Sequence, residues 1–112
     1  MIALRLTRPL VLEAPERVPD GSGGFTESWI ALGTLWAEVV PGSGRENAGA
    51  AGPVSRQSLR ISVRAAPQGA PDRPQVDQRF RDGDRLFRIL AVTERDAEAR
   101  YLTCNCTEEL AA

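Results

Sequence analysis

The chain contains no histidine and no lysine, and these two absences remove most of the residue types on which enzymes depend. Without histidine, a Ser-His-Asp or Cys-His catalytic arrangement cannot form within one chain, and zinc sites that use histidine are excluded. Without lysine, no side chain can form a Schiff base with a substrate. The remaining catalytic candidates are carboxylate pairs, Tyr101 and two cysteines. Composition therefore favours a protein that is not an enzyme, and we expect no cofactor.

Cysteine is scarce, and its two copies, Cys104 and Cys106, are separated by a single residue. On a β-strand such side chains share a face and lie roughly 6–7 Å apart, so they do not form a regular disulfide. A Cys-x-Cys motif is also typical of soft-metal sites, but two thiolates without histidine make an incomplete ligand set. We interpret the pair as two small buried apolar side chains and predict no metal ligand.

The sequence also lacks a long apolar run. No stretch approaches the ~18 residues needed to span a bilayer, and the N-terminal residues have no apolar core of signal-peptide length. We therefore expect a soluble protein, made in the cytoplasm, with no membrane partner. The 112 residues suit one domain spanning residues 1–112. A net charge of −1 argues against a general nucleic-acid binder, which normally carries a basic excess.

Strand-like alternation is present along almost the whole chain. Between residues 58 and 65, apolar side chains alternate with polar ones, so that Leu59, Ile61 and Val63 share one face and Arg60 lies on the other. We predict extended segments at 8–14, 25–30, 35–40, 56–65, 78–81, 85–93 and 100–107. Six or seven short antiparallel strands without a convincing helix predict an all-β fold, either a small barrel or a sandwich, because closure removes exposed edges.

Two of these segments also predict which side chains point into the core. In the 85–93 segment, Phe87, Ile89 and Ala91 share one face. In the 100–107 segment, the inner face carries Leu102 and the two cysteines.

Turn and loop residues separate the predicted strands. A hairpin tip is predicted at Asp20, Gly21, Ser22, Gly23 and Gly24. A Pro-rich loop covers 67–74, and 108–112 reads as a short solvated tail. The longest loop contains four glycines and no large apolar residue, and structureless loops of this length are often functional. It comprises Gly42, Ser43, Gly44, Arg45, Glu46, Asn47, Ala48, Gly49, Ala50, Ala51, Gly52 and Pro53.

The order of these motifs resembles a known family. An early strand precedes Asp-Gly-x-Gly-Gly and Trp29, and Leu-Trp-Ala-Glu-Val-Val-Pro-Gly-Ser-Gly-Arg-Glu follows at 35–46. A strand then ends in Ile-Ser-Val-Arg at 61–64, Asp-Gly-Asp-Arg-Leu-Phe-Arg-Ile-Leu-Ala-Val stands at 82–92, and the last strand closes in Glu108. This order, over nearly the whole chain, resembles the head-closure, or head–tail joining ("stopper"), proteins of long-tailed bacteriophages and gene transfer agents.

The resemblance implies a small β-barrel subunit that assembles with copies of itself into a sixfold or twelvefold ring. The ring would lie at the head–tail junction of a virion or gene-transfer-agent particle, between the adaptor ring below the portal and the tail terminator. It would continue the DNA channel, help to retain packaged DNA, and let double-stranded DNA pass without sequence-specific binding.

The resemblance also assigns roles to particular segments. The loop 42–53, with Arg45 and Glu46 as its charged residues, would project from the barrel and gate the channel. The hairpin Asp20–Gly24 would contact adjacent rings. The residues themselves, and not the resemblance, suggest two interpretations of the face that carries Arg60 and Arg64. A solvated face beside acidic cross-strand partners is favoured, because exposed ion pairs are common, and the alternative is an interface, with both arginines as candidate ring contacts, or a surface that faces DNA.

Other functions remain open from sequence alone. A tail terminator or an adaptor also forms a ring, but the former is expected to be α+β and the latter largely helical. A small barrel that binds single-stranded nucleic acid or a peptide would need exposed aromatic side chains near basic ones. Trp29 and Trp36 suit either the core or an interface. An enzyme that uses carboxylates is the weakest alternative.

Overall fold

The strands of the protein close into a barrel. The computed structural model describes residues 4–42 and 57–109. Every strand pair in these ranges is antiparallel, and the strand order around the barrel is β1-β2-β3-β6-β5-β4. This confirms the all-β prediction and selects the barrel over the sandwich. The strands are β1 (Arg8–Pro19), β2 (Phe25–Pro41), β3 (Ser58–Arg64), β4 (Arg79–Asp82), β5 (Arg85–Glu94) and β6 (Tyr101–Glu109).

One face of each strand supplies the core. The alternation predicted for β3 is confirmed, because Leu59, Ile61 and Val63 are buried and Arg60 is exposed. Removing these apolar side chains from water is the main force that favours the closed barrel. The buried apolar residues are Leu10, Leu12, Ala37, Leu59, Ile61, Val63, Phe80, Phe87, Ile89, Leu102, Cys104 and Cys106.

Two β-bulges change which side chains point inward. In β5 the register shifts between Ile89 and Ala91, and the side chain of Leu90 is exposed. The extra residue reverses the alternation, so Val92, and not Ala91 as predicted, packs against the core. A second shift lies in β2, where Gly33 pairs with Leu12 but Ala31 pairs with Glu13.

Several predicted boundaries were wrong because pairing continues beyond the buried part of a strand. β1 runs on to Pro19, and the two segments predicted at 25–30 and 35–40 form the single strand β2. The predicted tail begins inside β6, where Glu108 pairs with Phe87 and Glu109 with Leu86. The strands were predicted from the alternation of apolar and polar residues. The exposed parts of the strands lack that alternation, so their ends were not recognised.

The antiparallel order fixes which connections share an end of the barrel. The 20–24 turn, the 65–78 connection and the 95–100 turn lie at one end, because each follows a strand that runs in the same direction. Gly42, which follows β2, the β4–β5 turn and the end of β6 lie at the other. The predicted hairpin tip and the start of the predicted long loop are therefore at opposite ends.

We predict that both thiols of the native protein are unreactive. Cys104 and Cys106 are buried, and burial raises the pKa of the Cys104 thiol to about 12 and also raises that of Cys106. The thiolate is the reactive form of cysteine, and at pH 8 almost none of either thiol is ionised. Burial also keeps reagents away from both sulfur atoms. A chromogenic disulfide reagent should titrate no thiol in the folded protein and two in denaturant. Rapid reaction without denaturant would contradict this interpretation.

Candidate assembly surfaces

A two-stranded ribbon extends from the barrel at one end. β4 pairs with β1 only as far as Glu13, and β3 pairs with β2 only from Ala37 onward. Residues 14–19 of β1 therefore pair only with residues 25–30 of β2, and Ala31 pairs only with Glu13; we call the ribbon of residues 14–19 and 25–31 the arm. A lone hairpin is marginally stable in water, so the arm depends on support at its base.

The tip of the arm is the predicted Asp20–Gly24 hairpin. The Asp20 carboxylate accepts hydrogen bonds from the backbone N–H of Ser22 at 2.8 Å and of Gly24 at 3.1 Å. Gly21 and Gly23 have φ values of 83° and 86°, which side chains other than glycine's rarely adopt. The tip is a defined turn, as predicted from its residues. Its predicted contact with an adjacent ring remains a prediction.

The base of the arm is held by one buried carboxylate. Glu13, only 6% exposed, accepts hydrogen bonds from Arg79 Nε at 2.8 Å and from Arg81 Nε at 2.7 Å. Burial by itself would raise the pKa of Glu13, but the hydrogen bonds from Arg81 and Arg79 outweigh it and hold the pKa below its ordinary value of 4.5. The charged form is therefore the stable one here.

Trp29 adds a second contact between the arm and the barrel. The guanidinium carbon of Arg79 lies 4.0 Å from a Trp29 ring centroid, and that of Arg88 lies 5.4 Å from one. Arg79 thus contacts both the Glu13 carboxylate and the Trp29 ring. Cation–π contacts of this kind contribute roughly 0.5–2 kcal/mol. Trp29 consequently packs outside the core and braces the arm.

At the opposite end, Gly42, the first residue of the predicted long loop, is bound to Ser58, the first residue of β3, and we call this pair the neck. The N–H of Gly42 donates to the carbonyl of Ser58 at 2.8 Å. A Cβ at position 42 would lie 3.0 Å from Ser58 Cβ and 3.2 Å from its carbonyl carbon, so any other residue would push Ser58 away by a few tenths of an ångström. Apart from Gly42, the predicted gating loop 42–53, including Arg45 and Glu46, lies outside the described residues.

Ion pairs link the strands at the same end of the barrel as the neck. Arg8 pairs with Asp82, and Arg85 donates from Nε and Nη2 to the Glu108 carboxylate at 2.8 and 2.9 Å. The hydrogen bond from Arg85 lowers the pKa of Glu108. Arg88 also reaches Glu109 at 3.5 Å. The two glutamates predicted to be a solvated end are thus paired with arginines.

The other predicted contacts, Arg60 and Arg64, lie on the exposed face of β3. The residues opposite them are Val40 and Asn105 for Arg60 and Tyr101 for Arg64, so no acidic side chain is directly opposite. Neither forms a salt bridge with a described residue. The acidic partners considered from sequence are therefore not opposite these arginines.

Each of these arginines lies instead beside a large exposed apolar side chain. Arg60 shares a groove with Leu90, which is 56% exposed, and Arg64 shares one with Trp36, which is 58% exposed. Trp36 therefore does not belong to the core. Arginine and tryptophan are enriched at protein interfaces, so the geometry is compatible with the predicted ring contacts.

No group of three or more cysteine, aspartate or glutamate side chains in residues 4–42 and 57–109 is arranged to hold a metal ion. In the same part of the chain, no helix is long and apolar enough to cross a membrane.

Comparison with known proteins identifies the family. The phage head completion protein family matches this chain over residues 1–109. The chain belongs to this family. Head completion proteins are structural proteins of the virion, so the expected family and the expected location in a virion or gene-transfer-agent particle are confirmed. No curated protein sequence matches the chain.

Two solved structures resemble this head completion protein. One is a chain from the virion of a native gene transfer agent particle, with 52% identity, a TM-score of 0.76 and complete coverage of both chains. The other is the solution structure of protein SF1141 from Shigella flexneri 2a, with 23% identity, a TM-score of 0.67 and 96% coverage of each chain. The second likeness supports the fold alone.

Sequence reasoning missed the support at the base of the arm. Glu13 is 66 residues from Arg79 and 68 from Arg81, so no local pattern connects them. A usable signal was present: Arg79 and Arg81 flank the buried Phe80 and must share the opposite face of a strand. Two adjacent cations on one strand face call for an acidic partner, although its identity requires the three-dimensional pairing.

We predict that Glu13→Gln destabilises the protein by about 1.5–3 kcal/mol at pH 7, because the amide keeps only one acceptor oxygen, turns its NH2 group toward the other arginine N–H, and removes the negative charge. Because the folded-state pKa of Glu13 is lowered, its stabilisation is present above pH 4.5 and is lost as the pH falls through the folded-state pKa. The difference in free energy of unfolding between the wild type and the Glu13→Gln variant should therefore become smaller at acidic pH.

Urea unfolding at pH 7 and pH 3.5 measures both effects. The matched control is Glu16→Gln on the exposed part of the arm, which should change stability by less than ~0.5 kcal/mol. Equal stability of the Glu13 and Glu16 variants at pH 7 would refute a role for the buried carboxylate.

Proposed function

We propose that this head completion protein forms a stopper ring at the head–tail junction. The ring joins the adaptor below the portal to the tail terminator and continues the DNA channel. The observation that carries this proposal is the family match over residues 1–109, and the 52%-identical chain in a gene transfer agent particle supports it. As the resemblance to head-closure proteins implies, we propose that the ring is sixfold or twelvefold.

The two ends of the subunit support a position between two neighbours. The arm leaves one end of the barrel, and Gly42 and Ser58 at the neck lie at the other. A ring of barrels held side by side would present its arms to one neighbouring component and its necks to the next. The exposed pairs Arg60 with Leu90 and Arg64 with Trp36 are candidates for contacts between barrels.

The charge distribution favours passage of DNA rather than tight binding. Phosphate contacts would retain the DNA, since each one adds salt-dependent affinity. The chain has a net charge of −1, and many of its arginines are already paired with acidic side chains. The described arginines in such pairs are Arg8, Arg79, Arg81, Arg85, Arg88 and Arg100.

We further propose that the loops 42–53 of the ring together retain packaged DNA. Many weak contacts arranged around one axis act together, so a gate need not depend on one strong contact per subunit. The neck allows this idea to be tested without unfolding the barrel, because the Gly42–Ser58 hydrogen bond joins the residue that follows β2 to the first residue of β3.

The ring proposal predicts the outcome of deleting the gene in a particle-producing host. Electron microscopy should show heads that lack tails and have lost their DNA, and complementation with the wild-type gene should restore tailed, filled particles. Normal tailed particles after deletion would overturn the proposal. The diameter and symmetry of the density at the head–tail junction, measured in wild-type particles, test the ring itself.

A loop variant tests retention separately. Deleting residues 43–52 leaves five residues, 53–57, to connect Gly42 to Ser58, which is an ordinary hairpin loop length. We predict that this variant folds, enters particles and releases DNA prematurely, which nuclease sensitivity of the packaged DNA measures. The matched control replaces residues 43–52 with a Gly/Ser segment of equal length. Full retention by the deletion variant would contradict the gating role.

A further inference from the structure

The two edges of the arm differ in their capacity to form hydrogen bonds. At the tip, the N–H of Asp20 donates to the carbonyl of Gly24 at 3.1 Å. Because main-chain direction alternates along an antiparallel strand, even-numbered residues of the arm in β1 bond to β2, and odd-numbered residues point away. The pairing of Val11 and Glu13 with β4 on the other side of β1 agrees with this alternation.

The outer edge of β1 in the arm is blocked by proline. Its outward-pointing residues are Pro15, Arg17 and Pro19, and the two prolines have no N–H to donate. Only Arg17 keeps an outward donor. Prolines at such positions are a known protection of sheet edges against the addition of another strand.

The outer edge of β2 in the arm has no such protection. Its outward-pointing residues are Phe25, Glu27, Trp29 and Ala31, which are the cross-strand partners of Pro19, Arg17, Pro15 and Glu13. All four retain an N–H and a carbonyl group that can bind an added strand. Among the described residues, β2 pairs on that side only from Ala37 onward. Four consecutive outward positions are long enough to bind a strand of typical length.

The side chains beside this edge add a chemical preference. Glu27 lies between the aromatic side chains of Phe25 and Trp29 on one face of the arm. Its cross-strand neighbour, Arg17, has its guanidinium carbon 4.4 Å from the Phe25 ring centroid, and Glu27 forms no salt bridge with any described residue. A basic side chain on an added strand would supply the missing partner.

We propose that the β2 edge of the arm, residues 25–31, binds an extended segment of a neighbouring particle protein as an added β-strand. The segment carries a basic side chain beside Glu27 and apolar side chains beside Phe25 and Trp29. Main-chain hydrogen bonds provide the affinity, and the alternate side chains provide the selectivity. The identity of the neighbour as a particle protein rests on the proposed function.

A second copy of this chain fits the edge less well. Pairing two β2 edges over residues 25–31 about a twofold axis places each Glu27 opposite Trp29 of the other copy. The two Glu27 carboxylates then lie at diagonal positions, where like charges repel, and both lack a basic partner. The edge therefore selects a different segment over its own copy.

Hydrogen exchange tests the proposal directly. In the purified chain, the outward amides of residues 25–31 should exchange rapidly and the inward ones slowly. In purified particles, about four further amides in this segment should become protected, one for each outward N–H of the edge. Particles that contain the chain but leave these amides unprotected would overturn the inference and leave the proposed function standing. Absence of the chain from particles would overturn both.

A pair of proline variants provides the matched control. Arg17 and Glu27 are directly opposite each other, and each points its N–H outward, but on different edges. Glu27→Pro should reduce incorporation into particles at least tenfold, which corresponds to a loss of ~1.4 kcal/mol of binding free energy. Arg17→Pro should leave incorporation unchanged. Circular dichroism and thermal unfolding of both purified variants exclude loss of the fold as the cause. Equal incorporation of the two variants would refute the proposal.

Charge reversal tests the basic partner. Glu27→Arg keeps every main-chain donor but should reduce incorporation, while Glu16→Arg, whose side chain lies on the opposite face of the arm, should not. Incorporation of Glu27→Arg at the wild-type level would refute the basic partner. If the purified wild-type chain is a dimer that Glu27→Pro dissociates, the occupant is a second copy and the proposed partner is wrong.

Discussion

The barrel closes along its shortest seam, and one carboxylate spans that seam. β1 and β4 pair through only three residue pairs, from Val11 with Arg81 to Glu13 with Arg79. The Glu13 side chain lies at this seam and binds both arginines of β4. Removing the acid would leave two cations side by side with no counter-charge, which costs more than the loss of the attraction itself. Barrel closure and the anchoring of the arm thus depend on the same contacts.

Sequence alone predicted the parts of the fold in which apolar and polar residues alternate regularly. In β3 this alternation identified Leu59, Ile61 and Val63 correctly, and the two buried cysteines were identified in the same way, whereas the burial of Ser62 on the outer face was not predicted. The prediction failed where a single residue is inserted, since the bulge at Leu90 reverses every later position of β5. The arm was missed as a continuous ribbon because its strands are exposed and no core imposes a pattern on them.

The features of the candidate surfaces that depend on neighbouring residues were also predictable from the sequence, and those that depend on distant residues were not. The glycines and Asp20 of the arm tip are local signals, because a left-handed backbone and an aspartate-capped turn involve residues only two to four positions apart. The brace formed by Trp29 with Arg79 and Arg88 depends on residues that are distant in the chain. The relation between the two edges of the arm also required the observed register, since the direction of each N–H follows from the pairing.

The two prolines of the arm have a consequence for how assembly stops. A ribbon with two open edges accepts a strand on each side, and repeated addition of that kind leads to open-ended β-polymers. With Pro15 and Pro19 on one edge, the arm itself can accept a partner strand only at its β2 edge. Each arm therefore takes up at most one such strand, which suits a component that must be added in a fixed number of copies.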